Sequence, residues 1–193
     1  MTTTARQIAT RNFRGLDIPE AGSFVVDASH SVAQFTARHL VVAKTKGRFT
    51  DVAGEVTIAE NPLDSFVKVT IGAASVTTGD NGRDEHLRSP DFLDVESFPT
   101  LTYESTSVRH VKGAHFVVDG NLTAHGITKS VSLDLDYEGT VGDPWGGVRA
   151  VFSAKTKINR EHFGLTWNQA LETGGVLVGK DITIDLEVEA VRQ

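Results

Sequence analysis

The sequence predicts an all-β chain of about eight antiparallel strands closed into a tall barrel. Three observations carry that expectation. Apolar and polar residues alternate with a period of two from Phe24 onward, which gives each strand one wet face and one dry face. Gly, Asn and Asp punctuate the runs at "GDNG", "VKGAH", "VGDPWGG" and "TGG" and leave no room for long helices. The last run, "DITIDLEVEAV", spans about eleven residues, roughly 36 Å at the usual rise, whereas sandwich strands are nearer five or six. Length therefore favours the barrel.

The elements follow in order. Residues 1–22 show no clear period and end in Pro19 and Gly22; they read as an arm, partly disordered, before a barrel domain over 23–193. "FVKVTIGAAS" places Val67, Val69, Ile71 and Ala73 on one face, and "HFVVDGNLT" gathers Phe116, Val118 and Leu122. "VSLDLDY" alternates strictly, with Val131, Leu133, Leu135 and Tyr137 on the dry side. "VRAVFSAKTKI" aligns Val148, Ala150, Phe152 and Ala154, and the last run aligns Ile182, Ile184, Leu186 and Val188.

One stretch breaks the pattern. In "GRDEHLRSPDFLD", residues 82–94, the alternation gives way to a charged, helix-like segment. Asn81 suits an N-cap, Asp84 and Glu85 the first turn, Arg88 the last, and Pro90 the stop. About two turns of helix do not persist alone in water, so Leu87, Phe92 and Leu93 must dock it. It either caps a cavity mouth or plugs a solid core from outside. A second helical turn is expected at "INREHFG", capped by Asn159 and stopped by Gly164, bringing Phe163, Leu165 and Trp167 together.

Composition narrows the function. The 193-residue chain is 39% hydrophobic and 23% charged, with a net charge of −6, which argues against a nucleic-acid partner because phosphate binding needs a basic surface. No cysteine is present, so disulfides, thiolate zinc sites and cysteine nucleophiles are excluded. No apolar run is long enough to span a membrane as a helix. The first residues lack the apolar segment of a secretory signal, which makes the cytoplasm the expected compartment. Ten phenylalanines against two tyrosines and two tryptophans suit either a solid core or the wall of a hydrocarbon pocket.

Few constellations suggest chemistry. "DASHS" supplies Asp27, His30 and Ser31, but adjacent residues on an extended backbone point to opposite faces and no nucleophile elbow exists; a turn at the start of a strand fits better. The seven histidines form neither H-x-H nor H-E-x-x-H. His39 shares strand parity with Phe35 and Ala37, so it points inward, either as a satisfied core residue or as a contact to a ligand head group. The basic stretch "KTKGR", 44–48, is a solvated turn or, if it rims a cavity, an attractor of anionic head groups.

The ordered set of motifs resembles the YceI-like family of lipocalin-like, polyisoprenoid-binding proteins. It runs through "FVVDASHSVAQFTARHL", "KGRFTDVAGEV", "ASVTTGDNGRDEHLRSPDFLDVESFPTLTYES", "GNLTAHGITKSVSL" and "INREHFGL", over about residues 23–191. The resemblance implies an extended eight-stranded antiparallel lipocalin-like barrel, with one or two short helices capping an end and a long apolar tunnel inside. It implies binding of a polyisoprenoid or related long-chain, quinone-type lipid, with no enzyme activity, metal or cofactor, and it favours the cap reading of 82–94. The apolar contacts expected are Phe35, Phe49, Val69, Ile71, Leu87, Phe92, Phe116, Leu122, Phe152, Phe163 and Trp167. His39, Arg83 and His86 are the candidates for the head group. Transient membrane contact and a homodimer stay open, as does a hydrolytic or metal-assisted enzyme using the same cavity, or a filled barrel serving only as a surface.

Overall fold

In the computed structural model, which describes residues 8–40, 42–144, 146–170 and 175–193, the alternation builds the expected closed barrel. Three of its staves are each broken in two: β3 (Gly22–Val26) with β4 (Val32–His39), β5 (Ala43–Phe49) with β6 (Val52–Ile58), and β7 (Phe66–Gly72) with β8 (Val76–Thr77). Five are continuous: β9 (Thr100–Lys112), β10 (His115–Ala124), β11 (Ile127–Gly142), β12 (Val148–Asn159) and β13 (Val178–Arg192). Neighbours pair antiparallel around the ring, and β13 closes it by pairing with β12 on one side and with both β3 and β4 on the other. Closure leaves few free strand edges. The short strand β8 pairs with β5 alone.

The break between β3 and β4 is the "DASHS" turn. Asp27 accepts a hydrogen bond from the Ser29 amide (3.0 Å), and the Asp27 amide donates to the Glu189 carbonyl (2.8 Å). Ser31 exchanges hydrogen bonds with the backbone of Glu189, Oγ to carbonyl at 3.3 Å and amide to Oγ at 3.1 Å. Its hydroxyl is thus committed to the ladder of β13. The Asp27 carboxylate also meets the Arg149 guanidinium at 2.5 Å and His30 at 2.9 Å. Arg149 first, then Ser29 and His30, holds this carboxyl far below the usual range.

Part of the expected arm is a hairpin. Residues 1–7 lie outside the described residues, but β1 (Thr10–Phe13) and β2 (Leu16–Pro19) form a hairpin. Arg14 and Gly15 turn it with φ of 53° and 86°, the double positive that a two-residue turn of this hand requires. Four-residue strands are too short to show a period, which is why the sequence hides them. Arg11 ties the hairpin to the carbonyls of Ala59 and Glu60. Ile18 is buried with Phe116 and Tyr137, and Pro19 is fully buried.

One close contact sits at a register shift between the long strands. Gly120 sits at a bulge between β9 and β10, and the Tyr103 ring lies over it. A Cβ there would stand 2.5 Å from Tyr103 Cζ. The buried Tyr103 hydroxyl reaches the carbonyls of Val118 (3.0 Å) and Val131 (3.2 Å). Gly120→Ala is expected to displace the ring and destabilise the barrel by about 1–3 kcal/mol. That is a fall in Tm of several degrees by calorimetry, at roughly 2–4 °C per kcal/mol; an unchanged Tm would show that the ring is free to move.

Candidate functional site: an apolar tube inside the barrel

The inward faces do not meet in the middle. They enclose a cavity of about 370 Å³ whose wall is almost wholly apolar, inside the ~300–1,000 Å³ range of small-molecule sites. Every stave contributes. Phe35 and Ala37 come from β4, Phe49 from β5, Val69 and Ile71 from β7, Phe116 and Leu122 from β10, Phe152 and Ala154 from β12, and Ile182 and Ile184 from β13.

At one end the β1–β2 hairpin presents Ile18 and Pro19 to the cavity, beside Ile58 and Phe66. The sequence signal for this contribution was the "FRGLDI" turn, embedded in a segment without periodicity. At the other end the chain leaves β8, forms α1 (Asn81–Arg88) and loops through 89–99 back to β9. Leu87, Phe92 and Leu93 from this excursion line the cavity, so it caps a hollow interior. The N-cap is Asp80, one residue earlier than the expected Asn81; its carboxylate accepts from the Arg83 amide at 2.9 Å.

Charged residues dock α1, and its helical period decides which ones. Asp84, Leu87 and Arg88, at i, i+3 and i+4, share the inward face. Asp84 is 4% exposed and accepts from Thr77 Oγ1 (2.9 Å), the Thr78 amide (2.7 Å) and Thr78 Oγ1 (2.6 Å). Burial pushes its carboxyl up, but those bonds and the nearby Arg88 charge outweigh burial and leave it below 3.8. Arg88 donates to the carbonyls of Ala74 and Val76, both at 2.8 Å. It supplies the edge of β8 with the donors that a neighbouring strand would otherwise provide.

His86 falls on the opposite face of α1 and Arg83 on its flank, and neither lines the cavity. Arg83 donates to Thr78 Oγ1 at 2.7 Å, and so supports the hydroxyl that bonds Asp84. His86 pairs with Asp91 at 2.9 Å and stands edge-on to Phe92 and Trp167. Trp167 therefore packs over the outside of the cap rather than in the tube. Phe163 is buried in the wall with Tyr103, Val118 and Leu133, behind the cavity surface; the expected turn at Arg160–Phe163 forms, with Asn159 as cap and Gly164 at φ 77°. His39 ends β4, two residues beyond Ala37, and does not line the cavity. The remaining expected contacts, Phe35, Phe49, Val69, Ile71, Leu87, Phe92, Phe116, Leu122 and Phe152, all face the tube. The hollow thus gathers greasy side chains and none of the three head-group candidates.

Two charged residues, Arg160 and Glu187, border the cavity, and Arg160 is the buried one of the two. It donates to the carbonyls of Gly179 (3.0 Å), Leu165 (2.5 Å) and Val178 (3.4 Å). These bonds lock the 160–167 segment against the start of β13. Burial lowers its guanidinium's proton affinity, but the carbonyls keep its donors occupied.

Comparison with known proteins places this geometry among relatives. A model of the YceI-like domain matches residues 24–190. A UPF0312 protein of Staphylococcus aureus strain N315 is 39% identical over 172 residues, covering 86% of this chain and 96% of the relative. Among solved structures, BcnA of Burkholderia cenocepacia superposes with a TM-score of 0.75 at 19% identity, over 85% of this chain and 98% of that one. A polyisoprenoid binding domain from Saccharophagus degradans, implicated in plant cell wall breakdown, superposes at 0.66 with 15% identity, over 90% and 100%. Those two likenesses are likenesses of fold.

Proposed function

Because the chain belongs to the YceI-like family, we propose that it binds and carries a long-chain isoprenoid or related lipid inside its barrel, without chemistry. The observation that carries this reading is the apolar tube of about 370 Å³, lined at one end by the β1–β2 hairpin and at the other by the excursion through α1. A wall with so few polar groups gives a reacting substrate little to be oriented by, and rewards hydrocarbon: each CH₂ withdrawn from water contributes about 0.8 kcal/mol. The polyisoprenoid-binding neighbour from Saccharophagus degradans supports the same class of ligand. Phe35, Phe49, Phe92, Phe116 and Phe152 are the side chains that would grip the chain, and polar head groups would lie at an end rather than along the wall.

Native mass spectrometry of protein purified without detergent tests the proposal. The expected spectrum contains a hydrophobic adduct, or acquires one on addition of a polyprenyl alcohol. Protein that emerges uniformly empty and stays empty with prenyl chains in excess would overturn it.

A further inference from the structure

A carrier must meet the bilayer that holds its cargo, and the outer face of this barrel is not uniform. Phe35 and Ala37 point into the tube, so Thr36 and Arg38 on β4 point out, and the cross-strand partners of these two are Lys46 and Lys44 on β5. An open groove across β4, β5, β12 and β13 carries Arg38, Lys44, Lys46, Lys157 and Lys180 against Asp181 and Asp185. Five cations face two carboxylates there, on a chain whose net charge is −6. Lys157 and Lys180 have ionic partners, Asp181 and Glu161. Arg38, Lys44, Lys46 and the neighbouring Arg48 have no ion pair or side-chain hydrogen bond among the described residues. Like charges directly opposite each other, as Arg38 and Lys44 are, weaken a sheet.

The same strands end in grease. At the β4–β5 tip Val42 is 80% exposed and Leu40 44%, with Leu40 held at φ 50° and its amide bonded to the Leu177 carbonyl (3.0 Å). Val176, next to Leu177, is 40% exposed. This apolar tip adjoins the capped end: Asn168 bonds Val178 (2.7 Å), and the adjacent Trp167 packs on Phe92 and His86 of the cap. Apolar side chains at the end of a cationic two-strand face, its cations without ion pairs among the described residues, are the arrangement that inserts into the headgroup layer of an anionic membrane, grease entering the interface and ammonium groups meeting phosphates.

We propose that the β4–β5 tip, Leu40 and Val42 with Arg38, Lys44, Lys46 and Arg48, docks the protein on an anionic phospholipid bilayer with its capped end toward the lipid. The inference rests on the carrier reading for its purpose but not for its test. Full-length protein is sedimented with vesicles of phosphatidylcholine alone or mixed with phosphatidylglycerol. The expected result is binding to the mixed vesicles only, abolished by high salt. Lys44→Gln with Lys46→Gln should weaken it about thirtyfold, and Val42→Asp should abolish it. Lys68→Gln with Lys112→Gln, exposed positions on β7 and β9 outside the patch, should leave it intact. Failure to bind the mixed vesicles, equal binding to neutral ones, or full binding by the Lys44/Lys46 variant would overturn the proposal. Mass spectrometry of the same variants separates the two ideas: docking-deficient protein should still hold its lipid, and a protein that docks but never holds lipid would sink the carrier alone.

Discussion

Protein carrying both Ala37→Trp and Ala154→Trp is expected to come through detergent-free purification with no bound lipid, still folded. Both alanines line the tube, at different levels: Ala37 pairs with Ile182 near the cap, and Ala154 with Leu135 and Leu186 at mid-height. An indole entering unfilled apolar space buries about 150–250 Å², worth roughly 4–6 kcal/mol at 25 cal/mol per Å². Against that stand about 1–3 kcal/mol of strain per site and a similar cost for an indole N–H with no partner in a greasy wall. The balance is near zero, so Tm should move by only a few degrees while the lipid adduct disappears from the mass spectrum. A barrel whose side chains already met would respond in the opposite way, losing Tm steeply. Retention of the adduct in the doubly blocked protein would remove the tube as the binding site.

The second large effect is expected at the cap. Asp84→Ala leaves three donors from Thr77 and Thr78 without their acceptor, and hydrogen bonds to a charged group count about 1.5–3 kcal/mol each. Residues 81–94 cross one end of the barrel without being part of the strand ladder, so the loss should appear as local opening more than as global unfolding. Hydrogen exchange should lose protection over 81–94 by two orders of magnitude or more, with β9 to β13 unaffected and lipid exchange accelerated. The pH dependence has a definite sign. A carboxyl whose folded value lies below 3.8 stabilises the cap fully above pH 3.8, and that contribution is lost as pH falls through the folded value. Asp84→Asn should therefore flatten the acid-induced opening of 81–94. It should leave untouched the acid sensitivity of the barrel, where Asp27 (beside Arg149) and Asp119 (beside Arg109) are also depressed. Uniform loss of protection across all strands in Asp84→Ala would mean that the cap and barrel unfold as one.

Much of this architecture was legible because alternation is a direct physical readout of a half-buried strand. Val131, Leu133, Leu135 and Tyr137, and Ile182, Ile184, Leu186 and Val188, all face the tube as their parity requires. The expectations that missed have particular causes. Parity points a side chain inward but does not say which positions line the cavity; His39, at the end of β4, does not, although its cross-strand partner Val178 does. A helix of eight residues distributes its charges on two sides, and spacing alone did not show that Asp84 and Arg88 take the inner face, leaving Arg83 and His86 outside. The hairpin at 10–19 escaped because its strands are four residues long. The three broken staves read as separate runs; the interruption at 27–31 is held together by β13, from the far end of the chain.

The seam beside β8 has one more implication. Elsewhere around the ring, parting two staves means rupturing a run of mutually reinforcing amide bonds, and no single codon controls that. Between β8 and the returning chain, a few side chains do the stitching, chiefly the guanidinium on residue 88 and the carboxylate on residue 84. Selection could therefore set how readily this vessel unfastens by changing one side chain, leaving its interior and its girth as they are.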